Sequence, residues 1–164
     1  MTVALFSGQA RRTTAALAVA SAGLLVLSAC DKPTPLATVT VGTESVNSEA
    51  VCYNDAAEGI KEKDAAGCLN KKAAKTIKVS MEDKVRLGVD PEIAENGWTV
   101  FINGQPAEQE PYKKTYRTIP GNAFFSSGQQ GAPPVKEATV SIVETNSSSK
   151  KLVGVYSFKL EKTS

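Results

Sequence analysis

The sequence predicts an all-β fold, an immunoglobulin-like Greek-key sandwich of about seven short strands. Three observations carry that reading. Apolar and polar residues alternate over several short stretches, the period of strands with one wet face. Asn96-Gly97 and Asn103-Gly104 bracket one such stretch, and Asn-Gly suits turns because both residues tolerate positive φ. Beyond the N-terminal segment, helical periodicity is scarce.

The chain opens with a different kind of segment. Arg11-Arg12 is followed by an uncharged run from Thr14 to Ala29, rich in Ala, Leu and Val. A basic leader, an apolar stretch and small residues at its end form a secretory pattern, here a helical signal segment. The run is shorter than the roughly 20 residues that cross a bilayer core, and no other run approaches its length. Leu27-Ser28-Ala29-Cys30 resembles the lipobox of bacterial lipoproteins. That resemblance implies cleavage before Cys30, acylation of its sulfur, and a domain held on the outer face of the cytoplasmic membrane. Twin-arginine export is disfavoured, because Thr13, Thr14 and Ala15 lack the bulky apolar residues usual after the Arg pair. The expected organisation is therefore a signal peptide over 1–29, a lipidated tether over 30–35 stiffened by Pro33 and Pro35, and a β-sandwich over 36–164.

Processing alters the composition. The 19 cations lose Arg11 and Arg12 while all 17 acids remain, so the mature chain is formally neutral. Neutrality gives no support to nucleic-acid binding or to electrostatic adhesion to a membrane. Of three cysteines, Cys30 is assigned to lipid. Cys52 and Cys68 remain as a pair in an oxidising compartment, where a disulfide is expected. A metal site on the same pair is the alternative, but without any His it would need carboxylate partners.

The strands follow in order. Leu36 to Val46 reads as one strand with Val39 and Val41 inward, and Val51 to Tyr53 is a short apolar piece. Asp55 to Lys63 is charged and Ala-rich, a brief helix or a solvated loop. Lys75 to Met81 alternates, and after Glu82-Asp83 so do Val85, Leu87 and Val89 with Lys84, Arg86 and Gly88. Trp98, Val100 and Ile102 share a core face. Thr115 to Ile119 is a further strand. Ala138 to Glu144 and Leu152 to Leu160 form a terminal hairpin with Tyr156, Phe158 and Leu160 on one face. Both bridging cysteines precede Trp98, unlike the Cys…Trp…Cys order of antibody domains.

From Lys75 onward the segments Lys75–Val79, Val89-Asp90-Pro91-Glu92-Ile93-Ala94, Gly97–Gln105 and Tyr116–Asn122, together with the lipobox and the Cys pair, resemble an actinobacterial lipoprotein family known only as a domain of unknown function. The resemblance spans nearly the whole chain. It implies an exported sandwich and supplies no catalytic residues.

Chemistry is sparse. Without His there is no Ser-His-Asp or Cys-His catalysis, and the early strands, although similar to those of blue-copper sandwiches, cannot supply that metal site. No cofactor is expected. Ser147-Ser148-Ser149-Lys150 matches Ser-x-x-Lys formally, but in a Ser-rich turn and without the companion motifs. Asp90 with Glu92, and Glu108 with Glu110, read as solvated turn acids. Two segments are candidates for a partner surface. Tyr112, Lys113, Lys114, Tyr116 and Arg117 interleave aromatics with cations, suited to sugars, peptides or anionic polymers, or else form an edge strand guarded by lysines. Phe124 and Phe125 lie in a Gly- and Pro-rich connection, either exposed to a partner or buried under the sandwich edge. The expected function is a monomeric, non-enzymatic binding or scaffolding module of the envelope, contacting an envelope protein or polymer. The alternative is a small enzyme or substrate-binding protein with carboxylates and tyrosines in a cleft.

Overall fold

Ten strands and three short helices build the chain in a computed structural model that describes residues 34–127 and 132–163. Leu27, Ser28, Ala29 and Cys30, and with them the predicted signal peptide and lipid anchor, lie outside the described residues. The compact unit begins at Thr34.

One sheet, here sheet A, has the order β2-β1-β5-β8. It consists of β1 (Ala37–Val41), β2 (Glu44–Ser48), β5 (Lys84–Val89) and β8 (Tyr116–Pro120), all antiparallel. Sheet B has the order β3-β10-β9-β6-β7, from β3 (Cys52–Tyr53), β10 (Leu152–Lys162), β9 (Glu137–Thr145), β6 (Trp98–Ile102) and β7 (Gln105–Pro106). A sixth strand, β4 (Lys75–Val79), runs parallel to the C-terminal half of β10. The chain crosses between sheets from β2 to β3, β4 to β5, β5 to β6, β7 to β8 and β8 to β9. From β4 onward that crossing pattern, with β4 parallel to the last strand, is an immunoglobulin-like Greek key. The β1–β2 hairpin extends it on the β5 edge.

Alternation explains which side chains fill the interior. Val39, Val85 and Leu87 from sheet A meet Trp98, Val100, Val140, Ile142, Tyr156, Phe158 and Leu160 from sheet B, all 1% exposed or less. Because side chains reverse face at each residue, the residues between these positions point outward.

Three expectations need correction, and one open alternative is settled. Leu36 to Val46 is not one strand: Gly42 adopts φ +56° and folds it into the β1–β2 hairpin. Of the two readings of Asp55 to Lys63, the loop holds up to Lys61, and the helix begins at Glu62 as α1 (Glu62–Leu69), with Glu62 and Asp64 in its first turn where carboxylates favour the helix dipole. Asp90 and Glu92 do not sit in a simple turn. Pro91 starts α2 (Pro91–Asn96), a position where its missing N–H costs nothing, and Asp90 Oδ2 accepts a 2.8 Å bond from the Leu36 N–H. Lastly, Phe124 and Phe125 are not a partner surface. They belong to α3 (Asn122–Phe125) and both are fully buried.

The phenylalanines turn inward because α3 is docked at its start. Gly121 N–H donates to Asp83 O (2.8 Å) and Asn122 N–H to Met81 O (3.0 Å). A Cβ on Gly121 would lie 2.2 Å from Ser80 O, so only glycine permits this approach.

Candidate functional site

The disulfide forms as the cysteine count predicts, joining Cys52 to Cys68. Cys52 pairs with Val155 and therefore shares its outward face of sheet B. The bridge draws α1 over that face. Val143, Val153, Val155, Ser141 and Ser157 all point away from the main core, yet each is buried, and the Ser141 and Ser157 hydroxyls bond to each other at 3.0 Å. This part of the outside of sheet B is thus an interior of its own, while Glu137, Lys159 and Glu161 on the same face form surface ion pairs.

The Tyr112–Arg117 segment divides into engaged and free side chains. Tyr112 exchanges backbone bonds with Trp98 at 2.7 and 3.0 Å and presents its ring edge-on to the indole, 5.5 Å between centroids. Trp98 Nε1 donates to Lys114 O at 2.9 Å. Arg117 lies over the Tyr112 ring, 5.5 Å from its centre, and pairs with Glu108. Tyr112, Arg117 and Glu108 therefore clasp the segment to the end of the sandwich. Lys113 and Lys114 are exposed. Tyr116 is 66% exposed and stands apart from the others, on the outer face of sheet A.

That face contains residues the sequence did not single out. Register places Gly88 between Thr38 of β1 and Tyr116 of β8, and Arg86 between Thr40 and Thr118. Together they line a shallow depression of about 550 Å³. Thr40 bonds to Ser45 across the hairpin at 2.9 Å. Lys84 and Arg86 are exposed, and no ion pair engages either among the described residues. The signal for β5 was present in its alternation, which put Lys84, Arg86 and Gly88 outward. Their meeting with Thr38 and Tyr116 depends on pairing between distant strands, which local spacing does not encode.

A second cluster surrounds Glu144. This residue occupies a core-facing position in β9 and is fully buried. It accepts from Asn96 Nδ2 at 2.6 Å and from the Tyr156 hydroxyl at 3.1 Å. Burial raises the Glu144 carboxyl above its ordinary pKa; the two hydrogen bonds oppose this, and the charges of Glu92 and Asp55 add to it. Burial and Glu144 push the Tyr53 hydroxyl up to about 12, and the same causes raise Tyr156. A Cβ on Gly154 would meet Glu144 Oε2 and the Tyr156 ring at 3.0 Å, so the cluster is tightly closed. Its chemistry is that of a polar tie between α2, β9 and β10. Glu108 and Glu110, read from sequence as solvated turn acids, lie elsewhere, and Glu108 is committed to Arg117.

No protein-family model matches the chain, and no curated protein matches it in sequence. Among solved structures it is similar to fibronectin(III)-like modules of Clostridium thermocellum CbhA, at 4% identity and TM-score 0.38, over 58% of this chain and 95% of that one. It is also similar to part of the Clostridium perfringens spore cortex lytic enzyme SleM, at 22% identity and TM-score 0.35, over 48% of this chain and 24% of that one. The chain thus spans about a quarter of the lytic enzyme's length.

Proposed function

We propose that this chain is a membrane-tethered, non-enzymatic binding module of the cell envelope, anchored by lipid on Cys30 and presenting the outer face of sheet A. One observation carries the reading. The Cys52–Cys68 disulfide accounts for two of three cysteines and is the bond of an oxidising compartment. The remaining one, Cys30, directly follows the apolar leader. A short Pro-containing tether would then hold a rigid sandwich near the membrane, with one face partly covered by its own chain and the other open. Loops and faces on such a frame are common places for binding.

A catalytic cleft finds less support. The acid with a raised pKa is Glu144, but it is enclosed and already accepts two hydrogen bonds.

Fractionation of cells expressing the full chain tests the reading. The mature protein is expected in membranes, beginning at Cys30 and carrying fatty acid, while Cys30→Ala leaves a precursor or releases the domain. A chain that begins at Met1, free in the cytosol, would overturn it.

A further inference from the structure

We propose that the outer face of sheet A binds an anionic glycan strand, with a sugar ring stacked on Tyr116 beside Gly88 and an acidic substituent on Arg86. The proposal rests on the binding-module reading above and gives it a ligand class.

Gly88 is the point of departure. A glycine inside a strand weakens it, and its presence often marks close approach of a ligand or another backbone. Neither backbone nor packing demands glycine here. Its φ is not positive, and an added Cβ would meet nothing nearer than Thr38 Cβ at 3.8 Å, an ordinary contact. Gly121, by contrast, has backbone where its Cβ would be. What the missing side chain at 88 creates is the depression between Thr38 and Tyr116.

The lining suits a sugar. Tyr116 is the one exposed large hydrophobic residue among the described residues, and an aromatic face offers an apolar platform to a pyranose C–H face. Thr38, Thr40 and Thr118 surround it with hydroxyls that both donate and accept. The depression is open, and the sheet ends in two free edges, β2 and β8. A strand-like polymer can cross such a face without meeting a wall, whereas a small molecule would find little enclosure.

Charge sets the sign of the ligand. The outward positions of β1, β2, β5 and β8 carry hydroxyls, an amide and two cations, and no carboxylate. Arg86, at the centre, is unpaired among the described residues, leaving its guanidinium fork free for a carboxylate or phosphate. Single-stranded nucleic acid also offers stacking and phosphates, but it favours several aromatics along a basic groove. This face has one tyrosine, and the processed chain is formally neutral.

Affinity electrophoresis of the full chain in mild detergent tests the site. Gels contain polygalacturonate, a phosphate-bridged mannan or neutral dextran, and a thymidine oligonucleotide is titrated in parallel. The two acidic polymers are expected to retard the protein, more at low salt, and dextran much less. Tyr116→Ala and Arg86→Gln should each weaken retardation at least tenfold. Gly88→Val and Gly88→Ala should weaken it too while the Tm stays equal or rises, a separation that a merely structural glycine would not give. Absence of retardation by both acidic polymers overturns the proposal, as does undiminished binding by Gly88→Val or oligonucleotide binding of equal strength. Such a failure with membrane attachment intact removes the glycan site and spares the tether; a cytosolic chain removes the tether instead.

Discussion

The two sheets of this sandwich use their outer faces in opposite ways. Sheet B turns Val143, Val153 and Val155 outward and buries them again, because the Cys52–Cys68 bridge holds α1 across them. Sheet A turns Thr38, Thr40, Arg86, Gly88, Tyr116 and Thr118 outward, with Arg86, Tyr116 and Thr118 exposed and the others half-buried. An apolar outer face must be covered, since exposing three valines would forfeit several kcal/mol of burial. A hydroxyl-rich face needs no cover, and its one exposed aromatic residue then stands out as unexplained by folding. The difference separates a surface used for stability from one available for recognition.

Changes in the core between the sheets, and under the bridge, should be costly. Phe124→Ala is expected to destabilise the chain by about 3–5 kcal/mol, as for other large core truncations, measured by denaturant unfolding. A loss near zero would return Phe124 to the surface and blur the contrast. Replacing Cys52 and Cys68 together by Ser should cost about 3 kcal/mol in the chain-entropy model and increase binding of a hydrophobic dye as α1 loosens from β10. Unchanged dye binding would mean that the valines of sheet B are covered by something other than the bridge.

A smaller effect comes from Glu144. Burial makes the folded chain hold this proton more tightly than the unfolded chain does. Its contribution is therefore fully present below the ordinary glutamate pKa and is lost as pH rises through the raised folded value. Glu144→Gln keeps an acceptor for Asn96 and removes the titration. Between mildly acidic and mildly alkaline pH the variant should lose less stability than the parent, by thermal unfolding at matched ionic strength. Parallel curves for the two proteins would show that the acid is not taxed by its burial.

Much of the frame was legible because strand alternation is local. Lys75 to Val79, Lys84 to Val89, Trp98 to Ile102 and the last hairpin lie within a few residues of their expected limits. The cysteine pair was legible by parity once Cys30 was set aside. What escaped was set by contacts between distant segments. Gly42 reads as one residue of a strand until its positive φ makes a hairpin. Phe124 and Phe125 look like loop residues until the Ser80–Asp83 turn docks Gly121. Of the tyrosine-and-cation segment, Tyr112 and Arg117 are engaged by Trp98 and Glu108, which no spacing rule supplies. Tyr116 was found in sequence, but its neighbours on sheet A are 28 and 78 residues away at Gly88 and Thr38, and pairing alone assembles them.

Alkylation of single introduced cysteines gives the most direct test of the division between faces. Thr118→Cys places a thiol on the open face of sheet A, and Ala57→Cys places one on the exposed part of the disulfide loop. In the presence of polygalacturonate, the thiol at 118 should react with iodoacetamide more slowly while the thiol at 57 reacts at its free rate. Protection at 57, or at neither position, would contradict the assignment of sheet A as the recognition surface.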